Sequence, residues 1–439
     1  MRTKPFKIRT LVFALIVWLF QCSASLAQSD SVYTQEYLTR STKFAWTTLG
    51  IDMLKLGNGK SLFTENGISK EVAFSSTFIP RLTIGGVHFW GHADFYVSFP
   101  LSFLAIQQNP LALEALDYRQ GIETGAKIYP WALKEKRLSP YVGISFRLLS
   151  YTQEQKATKY TYKAPEFEKM IYPLQVGLTY TTSKSLFHCG IQYQMLSNIQ
   201  YYSSPTTQAG VQFSNFNFQF GITKYWDTDK HMRTPKSVAN ENNKYQVLKN
   251  ENRLDSWYWG LGPSAGLQIS KSPYFKKYHP QLYDDFIGGF MPDITFGRFF
   301  NKPDMNLGVS YRTMGNTLAG YEDKVSLRRH SFMLEAYKNL FNYLGFVPFC
   351  GITGSIENLN ANINGNRISD AKPALGFIFG WDIRVTKTGT SLLRTNLRWI
   401  PNLNLSVQNE KIMFNQLEFN FIQWVQFIGR KKVYSKYTK

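Results

Sequence analysis

Alternation of apolar and polar residues runs through most of this chain, and this period of two is the feature that most limits its fold. Phe216, Phe218 and Phe220 occupy every second position of one segment, and Asn217 and Gln219 lie between them. Successive side chains of a β-strand point to opposite faces, so such a segment has one aromatic face and one polar face. The same pattern recurs at 139–151, 170–182, 186–197, 256–270, 305–312, 373–386, 391–400 and 415–428. It predicts an all-β protein.

The length and the ends of these segments favour a membrane barrel over a soluble β-sandwich, whose strands also alternate. A tilted strand of about ten residues crosses the hydrocarbon layer, and these segments are at least about that long. Trp and Tyr lie near their ends, as at Tyr151, Tyr172 and Trp257, where interfacial girdles are expected. Within lipid, a sheet satisfies all its backbone groups by closing. We therefore predict a transmembrane antiparallel up-and-down β-barrel.

The first 27 residues have the features of a cleaved secretory signal peptide. Basic residues precede the apolar segment 11–20, and small residues at Ser25 and Ala27 precede a cut before Gln28. After this cut the chain retains two cysteines, Cys189 and Cys350. Both lie in strand-like segments, so they would either form a disulfide or remain separate thiols.

Connections between the predicted strands alternate between long and short, as do the outer loops and periplasmic turns of membrane barrels. From residue 91 onward 14 strands are predicted, and a weaker pair at about 44–53 and 72–84 would give 16. We therefore expect one barrel of about 14–16 strands over residues 44–429, with both chain ends in the periplasm. A short lead at 28–43 precedes it and a basic tail at 430–439 follows it. Long loops are expected at 102–119, 152–169, 198–209, 271–288, 316–326, 359–372 and 401–414.

One long connection falls on the side of the short turns. Residues 227–255 are almost wholly polar, although their place in the alternation predicts a short periplasmic turn. This insertion would either extend into the periplasm or fold into the barrel.

Taken together, these segments resemble outer-membrane β-barrel proteins of Gram-negative bacteria, porin-like and without a diagnostic subfamily motif. The resemblance rests on the export signal, the aromatic strands and the strand starts 140–148, 173–180, 348–354 and 373–380. The high Tyr, Asn and Lys content is similar to the Bacteroidota variety. The last strand, 417–428, resembles the aromatic-rich signal that the barrel-assembly machinery reads. The resemblance implies an integral protein of the outer membrane, surrounded by lipid and lipopolysaccharide, with a homo-oligomer or a partner protein as further options.

The sequence does not predict an enzyme. Outer-membrane acyl hydrolases often carry His-x-Ser along a strand, which places base and nucleophile on one face. None of the six histidines is followed by serine two positions later. We therefore expect no catalysis, no cofactor and no metal. Basic residues are spread over loops, strands and tail, which argues against nucleic acid as a partner.

Charges on the polar faces of the strands are the candidate functional residues. A charge that faces lipid near mid-bilayer costs about 2–4 kcal/mol, so these side chains should point inward. Arg384, Arg394 and Arg398 lie on two strands joined by a short turn and are expected to form one basic patch. The full set of predicted pore-lining residues is Lys127, Arg147, Arg312, Asp382, Arg384, Arg394, Arg398, Glu357, Glu418, His188 and Gln192.

Two interpretations of these charges remain open. In the favoured one they line a water-filled pore, and the protein is a passive channel for small polar solutes with a mild preference for anions. In the alternative, the arginines pair with Asp382, Glu357 and Glu418 and fill a closed lumen. The protein would then be a non-conducting structural, assembly or surface-interaction barrel that binds partner proteins through its loops.

Overall fold

The structure is a computed structural model, and it describes ten stretches of the chain: 46–65, 68–74, 76–101, 106–107, 114–155, 160–227, 235–284, 287–342, 345–384 and 386–430. The predicted signal peptide, the lead at 28–43 and the tail after Arg430 lie outside these residues.

The first half of the described chain is a run of antiparallel strands. In order they are β1 (Trp46–Leu56), β2 (Gly59–Glu65), β3 (Ile68–Phe74), β4 (Thr77–His88), β5 (Ala93–Pro100), β6 (Ile106–Gln107), β7 (Glu114–Ile128), β8 (Arg137–Gln155), β9 (Phe167–Ile171), β10 (Leu174–Thr181), β11 (Ser185–Tyr193), β12 (Asn198–Tyr202), β13 (Gln208–Gln212) and β14 (Phe216–Asp227). Because β1 pairs with both β14 and β4, eight strands close into a ring in the order β1-β14-β11-β10-β8-β7-β5-β4. We call it ring 1. The strands β12, β13, β2 and β3 form a separate small sheet.

The second half begins with a helix and forms another ring. Its elements are α1 (Pro235–Asn250), β15 (Ser256–Gln268), α2 (Pro273–Tyr278), β16 (Ile287–Phe300), β17 (Met305–Gly320), β18 (Asp323–Asn339), β19 (Phe346–Ile363), β20 (Asn366–Ile383), β21 (Ser391–Trp399), β22 (Asn404–Val407), β23 (Glu410–Met413) and β24 (Gln416–Phe427). Here β15 pairs with both β16 and β24, which closes ring 2 in the order β15-β16-β17-β18-β19-β20-β21-β24. No helix among the described residues is long and apolar enough to span a bilayer.

The predicted all-β, antiparallel, up-and-down barrel is confirmed, but the single ring of 14–16 strands is wrong. The two rings contain eight strands each. Alternation shows which face of a strand a residue occupies, and it does not show which distant strand completes the ring. The polar insertion at 227–255 connects the last strand of ring 1 to the first strand of ring 2, and it includes α1.

Two of the predicted long loops are also corrected. Residues 316–326 and 359–372 mostly continue as paired strands, and tight turns at 321–322 and 364–365 connect β17 to β18 and β19 to β20. The paired residues in these segments include Asn, Ser and Lys, so the apolar alternation weakens there although the ladder of hydrogen bonds continues.

Each ring has two distinct ends. At the turn end the strands are joined by short connections, such as 182–184 in ring 1 and 301–304 in ring 2, and α1 lies at this end. At the loop end lie the small sheet of ring 1 and the β22–β23 hairpin of ring 2. By the rule that barrel turns are short on the periplasmic side, the turn end is predicted to face the periplasm.

The outer faces of both rings are apolar. Phe216, Phe218 and Phe220 of β14 are each about half exposed, as are Ile294 and Phe296 of β16. A closed ring with an apolar outer surface is stable in lipid, because its backbone N–H and C=O groups are hydrogen-bonded within the ring. These two rings therefore make the chain an outer-membrane type of β-barrel protein.

The rings contact each other near both ends. Near the turn end, Phe95 of ring 1 lies 6.3 Å from Trp381 of ring 2, between ring centroids. At the loop end the Tyr321 hydroxyl donates to the Tyr202 carbonyl at 2.7 Å, and the Tyr202 amide donates to the Tyr283 hydroxyl at 2.6 Å. Apolar and hydrogen-bonded contacts thus hold ring 1 beside ring 2.

Glycines on the inner faces let tyrosine rings lie flat against the barrel wall. Gly177 is opposite Tyr141 on one neighbouring strand and Gly190 on the other. A Cβ at Gly177 would lie 2.3 Å from the Cys189 carbonyl oxygen and 2.5 Å from the Tyr141 hydroxyl.

We therefore expect Gly177→Ala to destabilise ring 1 by about 1–3 kcal/mol, since the added methyl overpacks a filled interior. Urea unfolding of the protein in lipid vesicles measures the change. Gly354→Ala is the matched control, because a Cβ there meets Leu375 at an ordinary 3.9 Å. Equal stability of the two variants would contradict this account of the inner wall.

Candidate functional site

The interior of each ring is the candidate site, and in ring 1 its centre is an ion-pair network. Arg81 joins two acids, with Nε 2.5 Å from Asp52 Oδ1 and Nη1 2.7 Å from Glu123 Oε2. Glu123 also accepts from the Tyr96 hydroxyl at 2.8 Å and from Gln192 Nε2 at 3.0 Å. All five side chains are buried. The strands bring them together because their polar faces point into the ring.

The predicted residues of ring 1 surround this centre. Arg147 donates to Gln192 at 2.5 Å and lies 3.7 Å from Glu123. Lys127 Nζ lies 3.7 Å from Asp94 Oδ2, and His188 is buried near them. Beside Lys127, Asp94 and His188 there is a cavity of only about 10 Å³, roughly the room that one water needs.

Ring 2 has a larger network of the same kind. Arg398 Nη1 lies 2.5 Å from Asp293 Oδ2, and its Nε lies 2.8 Å from Glu335 Oε1. Arg312 contacts Glu418, and Ser310 donates to Glu335 at 2.7 Å. Every one of these charged groups is buried, so each depends on its partners rather than on water.

Two further groups of charges extend this network. Arg329 lies 2.7 Å from both Glu357 and Glu418. On the turn side, Arg394 binds both carboxylate oxygens of Asp382, at 2.7 and 3.0 Å. Three aromatic rings surround the Arg394 guanidinium at 5.1–5.4 Å, those of Tyr258, Tyr337 and Phe349.

The predicted basic patch is not present. Arg384 and Arg394 share Asp382, whereas Arg398 pairs with Asp293 and Glu335. The buried charges inside ring 1 are Arg81, Lys127 and Arg147 against Asp52, Asp94 and Glu123. Those inside ring 2 are Arg312, Arg329, Arg394 and Arg398 against Asp293, Glu335, Glu357, Asp382 and Glu418, and the partly exposed Arg384 at the turn end adds a fifth cation beside Asp382. Acid and base are therefore balanced in both interiors, which removes the expected basis for anion preference.

Apolar layers lie on both sides of these networks. In ring 1, Trp46 stacks on Tyr225 near the turn end with centroids 4.3 Å apart, and these two pack in a buried cluster with Tyr129 and Tyr141. Toward the loop end, a buried cluster combines strand residues such as Leu149 with residues of the small sheet. The corresponding clusters of ring 2 contain Tyr258, Phe299, Leu392, Val425 and Phe427 near the turn end, and Val325, Leu327, Leu359, Leu405 and Ile412 near the loop end.

The predicted pore-lining residues are thus divided between two interiors. Ring 1 holds Lys127, Arg147, His188 and Gln192, and ring 2 holds Arg312, Glu357, Asp382, Arg384, Arg394, Arg398 and Glu418. The two cysteines are free thiols, one on each ring, so they form no disulfide. Among the described residues no group of His, Cys, Asp and Glu is arranged to hold a metal ion.

Sequence reasoning missed several network members, namely Asp52, Arg81, Asp293, Arg329 and Glu335. The alternation around Phe332 and Leu334 was a usable signal for two of them, since Arg329 and Glu335 have the opposite parity. Asp52 and Arg81 lie in the weakly patterned first pair of strands, where the signal is faint.

Comparisons with known proteins give only weak structural similarities. No family model matches the chain, and no curated protein matches it. Neisserial surface protein A is 17% identical over 39% of this chain and 96% of its own, with a TM-score of 0.29. The attachment invasion locus protein Ail of Yersinia pestis is 8% identical over 39% of this chain and 97% of its own, with a TM-score of 0.25. An outer membrane channel from Pseudomonas putida F1 is 8% identical over 90% of this chain and 99% of its own, with a TM-score of 0.20. Similarity at this level does not bear on what the chain binds or transports, and the Bacteroidota assignment stays a prediction.

Proposed function

We propose that this protein is a non-conducting pair of barrels in the outer membrane, and that it acts as a structural or surface-interaction protein through its loop end. The observation that carries the proposal is the filling of both interiors by charge-balanced, buried ion pairs between apolar layers. An eight-stranded ring has an interior just wide enough for its own side chains. The channel predicted from the sequence stays a prediction, and this packing favours the alternative.

The energetics of the networks support a closed interior. Breaking a buried ion pair by removing one partner typically costs about 3–5 kcal/mol, because the other charge stays buried. A water-filled pore would need Arg81 and Arg398 to leave their acids or water to enter between them. A sealed barrel keeps these pairs intact, so the arrangement is better suited to rigidity than to conduction.

The loop end of ring 2 offers a surface for a partner. The strands β17 to β20 contain 16–18 residues each, well beyond the length that crosses the hydrocarbon layer. β20 pairs with β19 along its whole length, but its pairing with β21 begins only at Phe377. Residues 366–376 therefore have one backbone edge unpaired within the described chain. Such an edge is where an extended peptide can add as a strand.

Conductance across planar lipid bilayers tests the proposal. The purified full-length chain should insert without producing stepwise currents, because side chains fill both interiors. Folding of the inserted protein is checked by its heat-dependent mobility on gels.

Conduction through the barrels would contradict the proposal. Stepwise currents whose ion selectivity shifts in Arg394→Glu would support the channel and overturn the proposal. Arg298→Glu is the matched control, since Arg298 lies on the outer face of ring 2, beside Trp257. It should leave any selectivity unchanged.

A further inference from the structure

A cavity of about 730 Å³ lies at the turn end of ring 2, between α1 and the ends of the strands. Its volume falls in the range of ligand-binding sites, about 300–1,000 Å³. The wall includes apolar side chains of Leu254, Phe299 and Phe427. Phe299, Leu392 and Phe427 of the wall also belong to the apolar layer at the turn end of ring 2, so the cavity adjoins that layer.

The helix α1 forms one side of the cavity and is fixed to the ring. The Thr388 hydroxyl donates to Glu241 on the helix, and both residues are buried. Tyr245 and Leu248 pack on Leu254, just ahead of β15. The cavity is therefore a built feature of the connection between the two rings.

The lining of the cavity contains more basic than acidic side chains. Five basic side chains face two acidic ones: Lys249, Lys302, Arg384, Lys387 and Arg430 against Asp255 and Asp304. Arg384 is already balanced by Asp382 within ring 2, so the other four basic residues exceed the two acidic ones by two charges. An excess of cations around a cavity favours an anion there.

Two arginines of the wall, Arg430 and Arg384, are the candidate ligands for an anion. Arg430 is only 3% exposed, and it donates to the carbonyls of Leu254, Lys387 and Gly389 and to the Ser256 hydroxyl rather than to a carboxylate. Burial, and after it the charge of Arg384, lowers the pKa of Arg430.

Arg384 is the second arginine of the wall. Both guanidinium carbons lie over the Phe299 ring, 5.1 and 5.8 Å from its centroid. Arg384 uses its terminal nitrogens for Asp382, at 2.9 Å, and Asp304, at 3.9 Å. Its Nε is buried and has no hydrogen-bond partner among the described residues. The unpartnered Nε–H of Arg384 and the positive charge of Arg430 suit a phosphate, which accepts charge-assisted hydrogen bonds from guanidinium groups.

We propose that this cavity binds a phosphate group, carried either by a soluble phosphorylated molecule or by a phospholipid headgroup. Both sources are compatible with its position, since the turn end is predicted to face the periplasm, beside the inner leaflet of the membrane. The proposal does not depend on whether the barrels conduct.

Calorimetric titration of the full-length protein tests this proposal. The protein is held in a maltoside detergent and phosphate-free buffer, so that neither competes for the site. Inorganic phosphate is the soluble probe, and dihexanoyl phosphatidic acid below its micelle concentration is the lipid probe. Saturable binding of either probe is the expected result, and the probe that binds more tightly identifies the source.

Variants link the binding to the cavity. Arg430→Gln should weaken binding about tenfold or more, because it removes a buried positive charge from the wall of the cavity. Lys302 lies at the exposed rim, so Lys302→Gln should weaken binding about two- to threefold without affecting the fold. Lys411→Gln, at the loop end, is the control and should bind as the unmodified chain does.

Three outcomes would overturn the proposal. They are no saturable binding of either probe, binding that is unchanged in both Arg430→Gln and Lys302→Gln, and tighter binding of succinate than of both phosphate probes. If Arg430→Gln does not fold, as judged by heat-dependent gel mobility, Lys302→Gln alone decides the second outcome.

Discussion

Arg398→Met should lower the free energy of unfolding by about 3–5 kcal/mol, the usual cost of removing one partner from a buried ion pair. The substitution keeps the apolar volume of the side chain but leaves Asp293 and Glu335 without their nearest cation. Asn420 donates to Asp293 at 2.9 Å and Ser310 donates to Glu335 at 2.7 Å, yet neither supplies a positive charge. Urea unfolding in lipid vesicles, with heat-dependent gel mobility as the readout of the folded fraction, measures the change.

Two further variants show whether the effect comes from the buried charges. Arg298→Met removes an arginine from the outer face of the same ring and should change stability by well under about 1 kcal/mol. Adding Asp293→Asn to Arg398→Met should recover part of the loss, because one uncompensated charge disappears. A loss below about 1 kcal/mol in Arg398→Met would mean that the ring 2 interior is hydrated.

The strand pairs β1–β14 and β15–β24 close the two rings. Disulfide cross-links between directly opposed residues of these pairs should form almost completely. Ile51 is opposite Ile222 in ring 1, and Leu261 is opposite Trp424 in ring 2. Directly opposed residues have Cα atoms about 4.5–5.5 Å apart, within the range that a disulfide bridges. The paired cysteine variants are made in a chain with Cys189→Ser and Cys350→Ser, and gel mobility after oxidation measures closure.

The control pair distinguishes two rings from one. In a single ring of 16 strands β14 and β15 would be neighbours, whereas here they belong to different rings. Ile222→Cys with Leu261→Cys should therefore give no intramolecular cross-link. Cross-linking of this control pair, together with failure of Ile51→Cys with Ile222→Cys, would show one large ring.

Particular elements show how far the sequence leads. The faces of β14 follow directly from its alternation: its phenylalanines are exposed on the outer face, and Asn217 and Gln219 are buried inside. The total of 16 barrel strands is the upper value of the predicted range. Errors arose where a strand continues with polar residues, as in β17 and β20, because these residues do not alternate with apolar ones.

The inward direction of Arg384, Arg394 and Arg398 was predictable, but their partners were not. All three lie on neighbouring strands, so the sequence suggests one cluster. In the structure Arg384 and Arg394 form ion pairs with Asp382, whereas Arg398 pairs with Asp293 and Glu335 on other strands of the ring. An ion pair across a lumen depends on the diameter of the ring, and strand patterning contains no measure of that diameter.

By itself, the sequence determined the local properties: the strands, the face that each side chain occupies, and the polar connection at 227–255 that interrupts them. Only the tertiary structure decided that the strands close as two rings of eight, with balanced and buried charges inside each. The physical reason is the range of the interactions. Alternation follows from the pleat of a single strand. Closure depends on whether β1 pairs with β14 or with the last strand, β24, and that pairing sets the width of the interior.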